Sequence, residues 1–298
     1  MPYGDADTVG DIIPRISEIL PKLRRSERKV AEMIRANLSS VAELSIDRLA
    51  ENAKVSKASV TRFARAVGCR DVRALKLALA RAAAVGSRFL SQEDAPPPPA
   101  QSGSKDRIYA DILHTLAINA SLCTPETYRQ AADILANAGM IYAFGVGGGS
   151  TIMADEASFR LMRLGCRVTS YHDPLLQRMV AATMHVQDAV LAFSVSGLVP
   201  EMLASCLIAR DYGAKLVAVT DPNSKLAAMA DCLIPVQSIE DDLIYSPSTS
   251  RYALMMSLDM IATEIALRNP VESREKLRRV KFALDMHLGG DKRQPLGD

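Results

Sequence analysis

The stretch Ala189-Val-Leu-Ala-Phe-Ser-Val-Ser-Gly-Leu-Val-Pro-Glu201 decides the fold class of the C-terminal part of the chain. It begins with a continuous apolar run, which is typical of a parallel strand buried on both faces. The run breaks at Ser194-Val-Ser-Gly197, and a helix is predicted from Val199. Such a turn brings backbone N–H groups and hydroxyls beside the positive end of a helix dipole, where an anion such as phosphate binds well. An ordinary turn with a serine N-cap fits the same residues.

Strand and helix patterns alternate on both sides of this stretch. Strands are predicted at 140–146, 167–171, 189–194, 215–220 and 232–236. Helical patterns lie between them at 152–164, 174–184, 199–212 and 224–230. This alternation predicts a parallel sheet with helices on both faces, in which ligands bind at the carboxyl ends of the strands.

A second strand end rich in glycine and serine follows the first predicted strand, at Gly145-Val-Gly-Gly-Gly-Ser-Thr151. It is not a G-x-G-x-x-G dinucleotide fingerprint, because Ser150 stands where the last glycine belongs and the end of the next strand offers no convincing acid to bind a ribose. The glycines allow close approach of the backbone, and Ser150 and Thr151 supply hydroxyls. We therefore expect an anion site here as well.

The charge is divided between the two ends of the chain. The net charge is +2, but residues 11–88 hold 17 Lys/Arg and 8 Asp/Glu, a balance of +9. The remaining residues hold 19 Lys/Arg and 26 Asp/Glu, a balance of −7. A basic head on an acidic body indicates that the head binds nucleic acid and the body does something else.

Residues 44–68 predict a helix-turn-helix. Ser45 is expected to cap a short helix, and Asn52-Ala-Lys-Val55 to form a tight turn with Val55 in the corner. Ser56 is expected to cap a second helix, which Gly68 ends. The inner face of that helix is formed by Val60, Phe63, Ala64 and Val67.

The outer face of the second helix is polar and basic. Short hydroxyl side chains near its N-terminus can approach base edges, and its cations can reach phosphates or guanine. The candidate DNA-binding residues are Ser56, Lys57, Ser59, Thr61, Arg62 and Arg65. The alternative is a small helical subdomain with a solvated basic face. The expected partner is double-stranded operator DNA.

Flanking segments complete the two domains. In the head, a first helix is predicted to end or kink at Pro21, Ser26 to cap the next, and Asp71 to cap the last. Residues 89–105, with four consecutive prolines, are typical of a linker. The predicted domains are therefore 1–88 and 106–298. Two long C-terminal helices, at 253–267 and 271–288, have faces that suit a core or a dimer surface.

Several classes of protein are disfavoured. Five widely spaced cysteines argue against a disulfide framework or a zinc cluster and for a reducing cytoplasm. No apolar run approaches the roughly 20 residues of a membrane span, and no secretion signal precedes the head. We expect a cytoplasmic protein that has no metal, no cofactor and no membrane partner.

The head resembles the N-terminal domain of the RpiR family of bacterial transcription regulators. The matching residues are Ser45-Ile-Asp-Arg-Leu-Ala, Val55-Ser-Lys-Ala-Ser-Val-Thr-Arg-Phe, Val67-Gly-Cys and Leu75-Lys76. Residues 106–268 resemble the SIS (sugar isomerase) domain, a phosphosugar-binding module. The resemblance implies an all-α helix-turn-helix head and an α/β SIS domain with a five-stranded parallel sheet flanked by helices.

The resemblance also implies ligand-binding residues: Gly147, Ser150, Thr151, Ser194, Ser196, Gly197 and Glu201. Two positions depart from the family's pattern. Val199 replaces a usual threonine, and Gly149 stands where a serine is expected, with Ser150 one place later. Either a glycine is inserted and Ser150 serves, or that contact is lost. Residues 172–179 and 241–251 are similar to HexR-type members, a subgroup that senses 2-keto-3-deoxy-6-phosphogluconate.

Two main functions remain open at this point, besides an adaptor that carries a decayed helix-turn-helix and does not bind DNA. The first is a transcription regulator that responds to a phosphorylated sugar or sugar acid and acts as a homodimer or tetramer on a palindromic site. The second is a sugar-phosphate isomerase, which needs a general base such as Glu201 and a group for ring opening such as His172. The attached helix-turn-helix favours the regulator and disfavours catalysis.

Overall fold

A computed structural model describes residues 11–90, 104–239 and 248–287 of the 298-residue chain. Contacts divide these residues into two compact units, one made of residues 11–90 and the other of the rest. Most of the proposed linker lies outside the described residues, and so do most of segment 241–251 and the end of the chain. The domain limits stay a prediction, although helix begins at Ser104, two residues before the limit at 106.

The N-terminal unit is all-helical. Its helices are α1 (Ile12–Ile19), α2 (Arg25–Ala36), α3 (Leu38–Glu43), α4 (Ile46–Asn52), α5 (Lys57–Ala66) and α6 (Val72–Leu90). Apolar side chains at helical spacing meet in one core, and the fully buried ones include Ile16, Ile34, Leu49, Phe63 and Leu75. The core sits between the helix-turn-helix formed by α4 and α5 and the helices around it.

The predicted starts of α4, α5 and α6, the turn between α4 and α5, and the predicted end of α5 are confirmed. The Ser45 and Ser56 hydroxyls accept the backbone N–H groups of Arg48 and Ser59, and Asp71 accepts that of Ala74. The tight turn places Lys54 at φ 52°, and Val55 packs against the core. Gly68, at φ 83°, ends α5. Because L residues with side chains rarely adopt positive φ, glycine suits this last position.

Two features of the head differ from the prediction. Ser26 does not cap α2: the helix begins at Arg25, because the carboxylate of Glu27 accepts the backbone N–H of Arg24 at 3.2 Å. The short helix α3 was not predicted from its sequence pattern. Asn37 caps it by accepting the backbone N–H of Ser40. Pro21 lies in a 3-10 turn, Leu20–Lys22, directly after α1. The first helix therefore ends before this proline, as predicted, because proline disrupts an α-helix.

The C-terminal unit is an α/β fold. Its helices are α7 (Ser104–Leu122), α8 (Pro125–Ala136), α9 (Gly148–Arg163), α10 (Pro174–Ala181), α11 (Pro200–Asp211), α12 (Ser250–Arg268) and α13 (Pro270–His287). Its strands are β1 (Ile141–Gly145), β2 (Val168–Tyr171), β3 (Ala189–Ser194), β4 (Lys215–Thr220) and β5 (Cys232–Pro235). All pairs are parallel, in the order β2-β1-β3-β4-β5. The predicted five-stranded sheet is confirmed.

Both faces of this sheet are covered. One core lies between the sheet and helices α8, α9 and α12, with Leu161, Phe193 and Leu258 among its buried residues. The other lies between the sheet and helices α10 and α11, and contains Phe144 and Cys206. Strand β3, which is the continuous apolar run before the Ser/Gly turn, is buried along its whole length. Its continuous apolar character follows from this position at the centre of the sheet.

Two predicted helices differ most from their expected limits. The pattern at 224–230 forms only a 3-10 turn, Ala227–Met229, because the Ser224 hydroxyl accepts the Ala227 N–H and β5 begins three residues later. Helix α9 begins at Gly148, four residues earlier than predicted. Its N-cap is Gly147 at φ 76°, so the glycine run itself makes the turn from strand to helix.

All five cysteines are free thiols. Cys69, Cys206 and Cys232 are buried, and burial raises the pKa of the Cys206 thiol to about 12 and that of Cys232 to about 11. Because the thiolate is the reactive form, these groups act as small apolar side chains. Within the described ranges, no helix has the length and apolarity needed to cross a membrane.

A pair of glycine substitutions tests the turn after β1. A Cβ at Gly145 would collide with the Ser150 carbonyl group, so Gly145→Ala should destabilise the unit by about 1–3 kcal/mol. A Cβ at Gly149 would meet only the Cβ of Arg251, at 4.0 Å, and Gly149→Ala should be neutral or stabilising by about 0.4–1 kcal/mol. Urea unfolding followed by circular dichroism measures both. Equal stability of the two variants would contradict this packing.

Candidate functional site

A cavity of about 500 Å³ lies at the carboxyl edge of the sheet. The chain runs from β1 outward to β2 and returns to β3 on the other side of β1, so the strand order reverses at this point. Ligands of open parallel sheets bind at such a point. The cavity is lined by Val146, Ser150, Ser194, Val195, Ser196, Leu198, Val199, Asp221, Asn223, Ser224 and Ser238.

Two predicted serines lie at the end of β3, Ser194 as its last residue and Ser196 in the turn after it, and both turn their hydroxyls back to the loop. Ser194 is buried, and its Oγ accepts the backbone N–H of Gly197 at 3.1 Å. Ser196 is exposed, and its Oγ accepts the N–H of Leu198 at 3.4 Å. Neither serine caps α11, whose N-cap is Val199 without a side-chain hydrogen bond. The interpretation of this stretch as a serine-capped turn is therefore wrong.

The third predicted serine comes from the glycine turn. Ser150, in the first turn of α9, is largely buried and lines the cavity. The N-cap of α9, Gly147, has no side chain that could bond the first N–H groups of the helix. Helices α9 and α11 thus both begin at this edge of the sheet without a side-chain N-cap. Their N-terminal dipole ends provide positive potential beside three hydroxyls.

The wall formed after β4 was not predicted. Asp221 follows β4, donates its backbone N–H to the Val195 carbonyl at 3.2 Å, and accepts the Asn223 N–H at 2.7 Å. Ser224 lies 3.3 Å from Thr220, Oγ to Oγ1. A Cβ at Gly197, which has φ 59°, would collide with Ser224. Glycine is therefore required where the two loops meet.

Four of the predicted ligand residues are not among the described residues that line the cavity. Gly147 and Gly197 shape its two turns, with φ 76° and 59°. Thr151 is half-buried one residue beyond Ser150, and Glu201 is exposed in the first turn of α11. The sequence pattern therefore located the turns correctly, and the structure brings together the hydroxyls of Ser150, Ser194 and Ser196.

His172 lies outside the cavity wall and contacts an acid. Its Nδ1 is 3.6 Å from Oδ1 of Asp155, which also accepts the hydroxyl of Ser170 at 2.6 Å. This cluster connects β2 and the residue after it to α9, and none of its three residues lines the cavity. Among the described residues, no group of three His, Cys, Asp or Glu side chains is arranged to hold a metal ion.

The helix-turn-helix presents most of its predicted outer residues. Ser56, Lys57, Arg62 and Arg65 are exposed and Thr61 is half-buried. Lys57 forms an ion pair with Asp47 of α4. Ser59 was expected to face outward, but it is buried. It faces Ser56, with the two Oγ atoms 3.0 Å apart, and accepts a hydrogen bond from Arg62.

The two units match two known domain families. Residues 10–86 match the helix-turn-helix domain of the rpiR family, and residues 134–264 match the SIS domain. This combination defines a transcription regulator with an SIS sugar-binding domain.

The relatives cover nearly the whole chain. The HTH-type transcriptional regulator HexR of Pseudomonas aeruginosa is 32% identical over 92% of this chain and 95% of its own length. HexR of Escherichia coli is 31% identical over 92% of this chain and 94% of its own length. The chain therefore belongs to the RpiR family of transcription regulators.

A solved structure supports the fold. The NanR protein of Vibrio vulnificus, complexed with ManNAc-6P, is 22% identical and has a TM-score of 0.59. The match covers 93% of this chain and 98% of that one. The predicted order of a helical head followed by a parallel α/β domain is confirmed.

The two serines after β3 should differ in their effect on stability. Ser194→Ala leaves the buried N–H of Gly197 without its hydroxyl partner and should cost about 1–3 kcal/mol. Ser196→Ala, at an exposed position, should change stability by less than about 0.5 kcal/mol. Thermal unfolding of the two variants measures the difference. A larger loss for Ser196→Ala would contradict this hydrogen-bond arrangement.

Proposed function

We propose that the chain regulates transcription of carbohydrate metabolism and that a phosphorylated sugar or sugar acid in the SIS cavity controls its affinity for operator DNA. The observation that carries this proposal is the convergence of Ser150, Ser194 and Ser196 at the switch point of the sheet, beside the N-termini of α9 and α11. Hydroxyls and helix N-termini are good partners for phosphate oxygens.

The remaining ligand residues have supporting roles in this proposal. Gly147 and Gly197 keep the two turns open to the ligand, and Thr151 adds a hydroxyl near the start of α9. Glu201 is a candidate for the sugar part of the ligand. Val199 lines the cavity at the N-cap of α11, where a threonine would add a hydroxyl. Ser150 serves in place of the serine that is missing at Gly149.

The identity of the effector is proposed from relatives. The HexR resemblance favours 2-keto-3-deoxy-6-phosphogluconate, which combines a phosphate with a carboxylate. The NanR structure contains ManNAc-6P, which is also a phosphorylated sugar. We propose a sugar phosphate of this general class.

The proposed partners are double-stranded DNA and a second copy of the chain. A symmetric dimer or tetramer would present paired helix-turn-helix units to a palindromic site. The effector would favour one arrangement of these units and thereby change operator affinity by about 1–3 kcal/mol. Action on DNA implies a cytoplasmic location.

The isomerase alternative has less support. Glu201 is exposed and does not line the cavity as described, and His172 contacts Asp155 outside it. In the described wall the ionisable residue is Asp221. The named HexR relatives are transcription regulators. We therefore propose binding without turnover.

A panel of phosphorylated sugars and sugar acids tests the cavity. The effector should raise the melting temperature of the wild-type chain, because it binds the folded state. Ser196→Ala, which should leave folding intact, should weaken binding about tenfold by removing one hydroxyl, and its melting temperature should rise less. Thr183→Ala, an exposed hydroxyl outside the cavity, is the matched control. An unchanged shift of the melting temperature in Ser196→Ala would argue against effector binding by the turn at Ser194–Gly197.

A substitution on α5 tests DNA binding. Arg62→Ala should weaken binding to a duplex selected by the wild-type chain by about 1–3 kcal/mol, measured by fluorescence anisotropy. The effector-induced melting shift should persist, because Arg62 belongs to the other unit. Arg129→Ala is the control, since its side chain is 55% exposed on α8 compared with 48% for Arg62. Unchanged affinity in Arg62→Ala would show that other residues recognise the DNA.

A further inference from the structure

We propose that Glu27 of α2 is a positioning residue for DNA sequence recognition. It holds the guanidinium of Arg62 so that the terminal edge of that group faces the DNA. The inference deepens the proposed function and rests on it. Glu27 lies outside the helix-turn-helix itself, and no feature of its sequence pattern beyond a place in the first turn of α2 singles it out.

Glu27 is a buried carboxylate with both oxygens engaged. The residue is 7% exposed. Its Oε2 accepts the backbone N–H of Arg24 at 3.2 Å, and its Oε1 lies 3.4 Å from Nε of Arg62. A buried charge needs such partners, since it has lost most of its hydration. The carboxylate is thus fixed to the start of α2 and can serve as an anchor for the arginine.

A second contact holds Arg62 from its own helix. Nη2 of Arg62 donates to Oγ of Ser59 at 2.9 Å. Ser59 is 4% exposed, and its Oγ lies 3.0 Å from that of Ser56, the N-cap of α5. The guanidinium is therefore held at two points, one on α2 and one on α5. This explains why Ser59 is buried and does not face outward.

The remaining donors of Arg62 are directed to one edge. A guanidinium has five N–H groups. Nε lies 3.4 Å from Oε1 of Glu27 and Nη2 donates one N–H to Ser59, so the other Nη2–H and the two N–H groups on Nη1 are available to a ligand. One N–H from each Nη forms a fork that matches O6 and N7 of guanine or two phosphate oxygens. Fixing the fork before binding reduces the entropy lost when the contact forms.

Exposed ion pairs on the same unit do not provide this constraint. Arg48 and Glu51 of α4 lie 3.8 Å apart, and their side chains are 70% and 71% exposed. Such pairs exchange readily with water and contribute little to orientation. The burial of Glu27 is what distinguishes its contact with Arg62.

Charge and positioning predict opposite effects on DNA binding. A carboxylate beside a DNA-binding helix repels phosphates, so its removal should strengthen binding to every duplex equally. Loss of positioning should instead weaken binding to the preferred sequence alone. The ratio of affinities for preferred and scrambled duplexes therefore isolates the positioning role.

The test uses the full chain and duplexes of about 30 base pairs, roughly three helical turns. The preferred duplex is selected by the wild-type chain from a randomised pool, and its scrambled sequence is the reference. Glu27→Met removes both acceptor oxygens. Glu27→Gln keeps an amide oxygen for one N–H group. The control is Glu32→Gln, which removes the same charge from an exposed position on α2.

We expect Glu27→Met to lower the affinity ratio about tenfold, the discrimination typical of one bidentate base contact. Glu27→Gln should lower the ratio less, and Glu32→Gln should leave it unchanged. In an Arg62→Ala background, Glu27→Met should cause no further loss of ratio, because the residue acts through Arg62. Melting temperatures identify a variant that fails to fold, and Glu27→Asp, which shortens the carboxylate, then replaces Glu27→Met with the same expected loss.

Three results would overturn the proposal. The first is a wild-type ratio in a folded Glu27→Met or Glu27→Asp variant. The second is equal weakening on both duplexes, which is the signature of a merely structural role. The third is a full additional loss in the Arg62→Ala background. A wild-type chain that shows no sequence preference would overturn the proposed function itself, which separates the two failures.

Discussion

The parallel pairing of β1 with β3 at the centre of the sheet is the contact on which the rest of the C-terminal unit depends. Gly145, the last residue of β1, pairs with Phe193, so the strands end side by side. The turns that follow then start next to each other, and Ser150 and Ser194 reach the same cavity although they are distant in sequence. Gly145 allows this arrangement, because any side chain there would overlap the Ser150 carbonyl.

Much of this architecture could be predicted from sequence, because the spacing of apolar residues and the residues that form caps and turns indicate the same helices and strands. Strands β3 and β4 have their predicted limits, and the caps Ser45, Ser56 and Asp71 are where local patterns place them. The prediction was wrong where a second local contact competes with the expected cap. At the start of α2, the Glu27 carboxylate replaces Ser26 as the group that bonds the helix end.

The site was predictable only in part. Serines in the turns after β1 and β3 are recognisable because each turn is local. The wall after β4 was not, since Asp221 and Ser224 reach the cavity only through the pairing of β4 with β3. Ser59 was assigned to the outer face because its side chain is polar. It lies one turn before the inner residue Phe63, and its hydroxyl is enclosed between Ser56 and Arg62.

The described wall of the cavity contains no lysine or arginine. Apart from the carboxylate of Asp221, the described wall offers an anion neutral hydroxyl and amide dipoles, so no cationic side chain there would pair with it. Such binding depends weakly on ionic strength, whereas contacts of cationic side chains with DNA weaken steeply as salt rises. Under the proposed function, the two units would therefore respond to different variables. A rise in cellular salt would therefore weaken DNA binding more than effector binding.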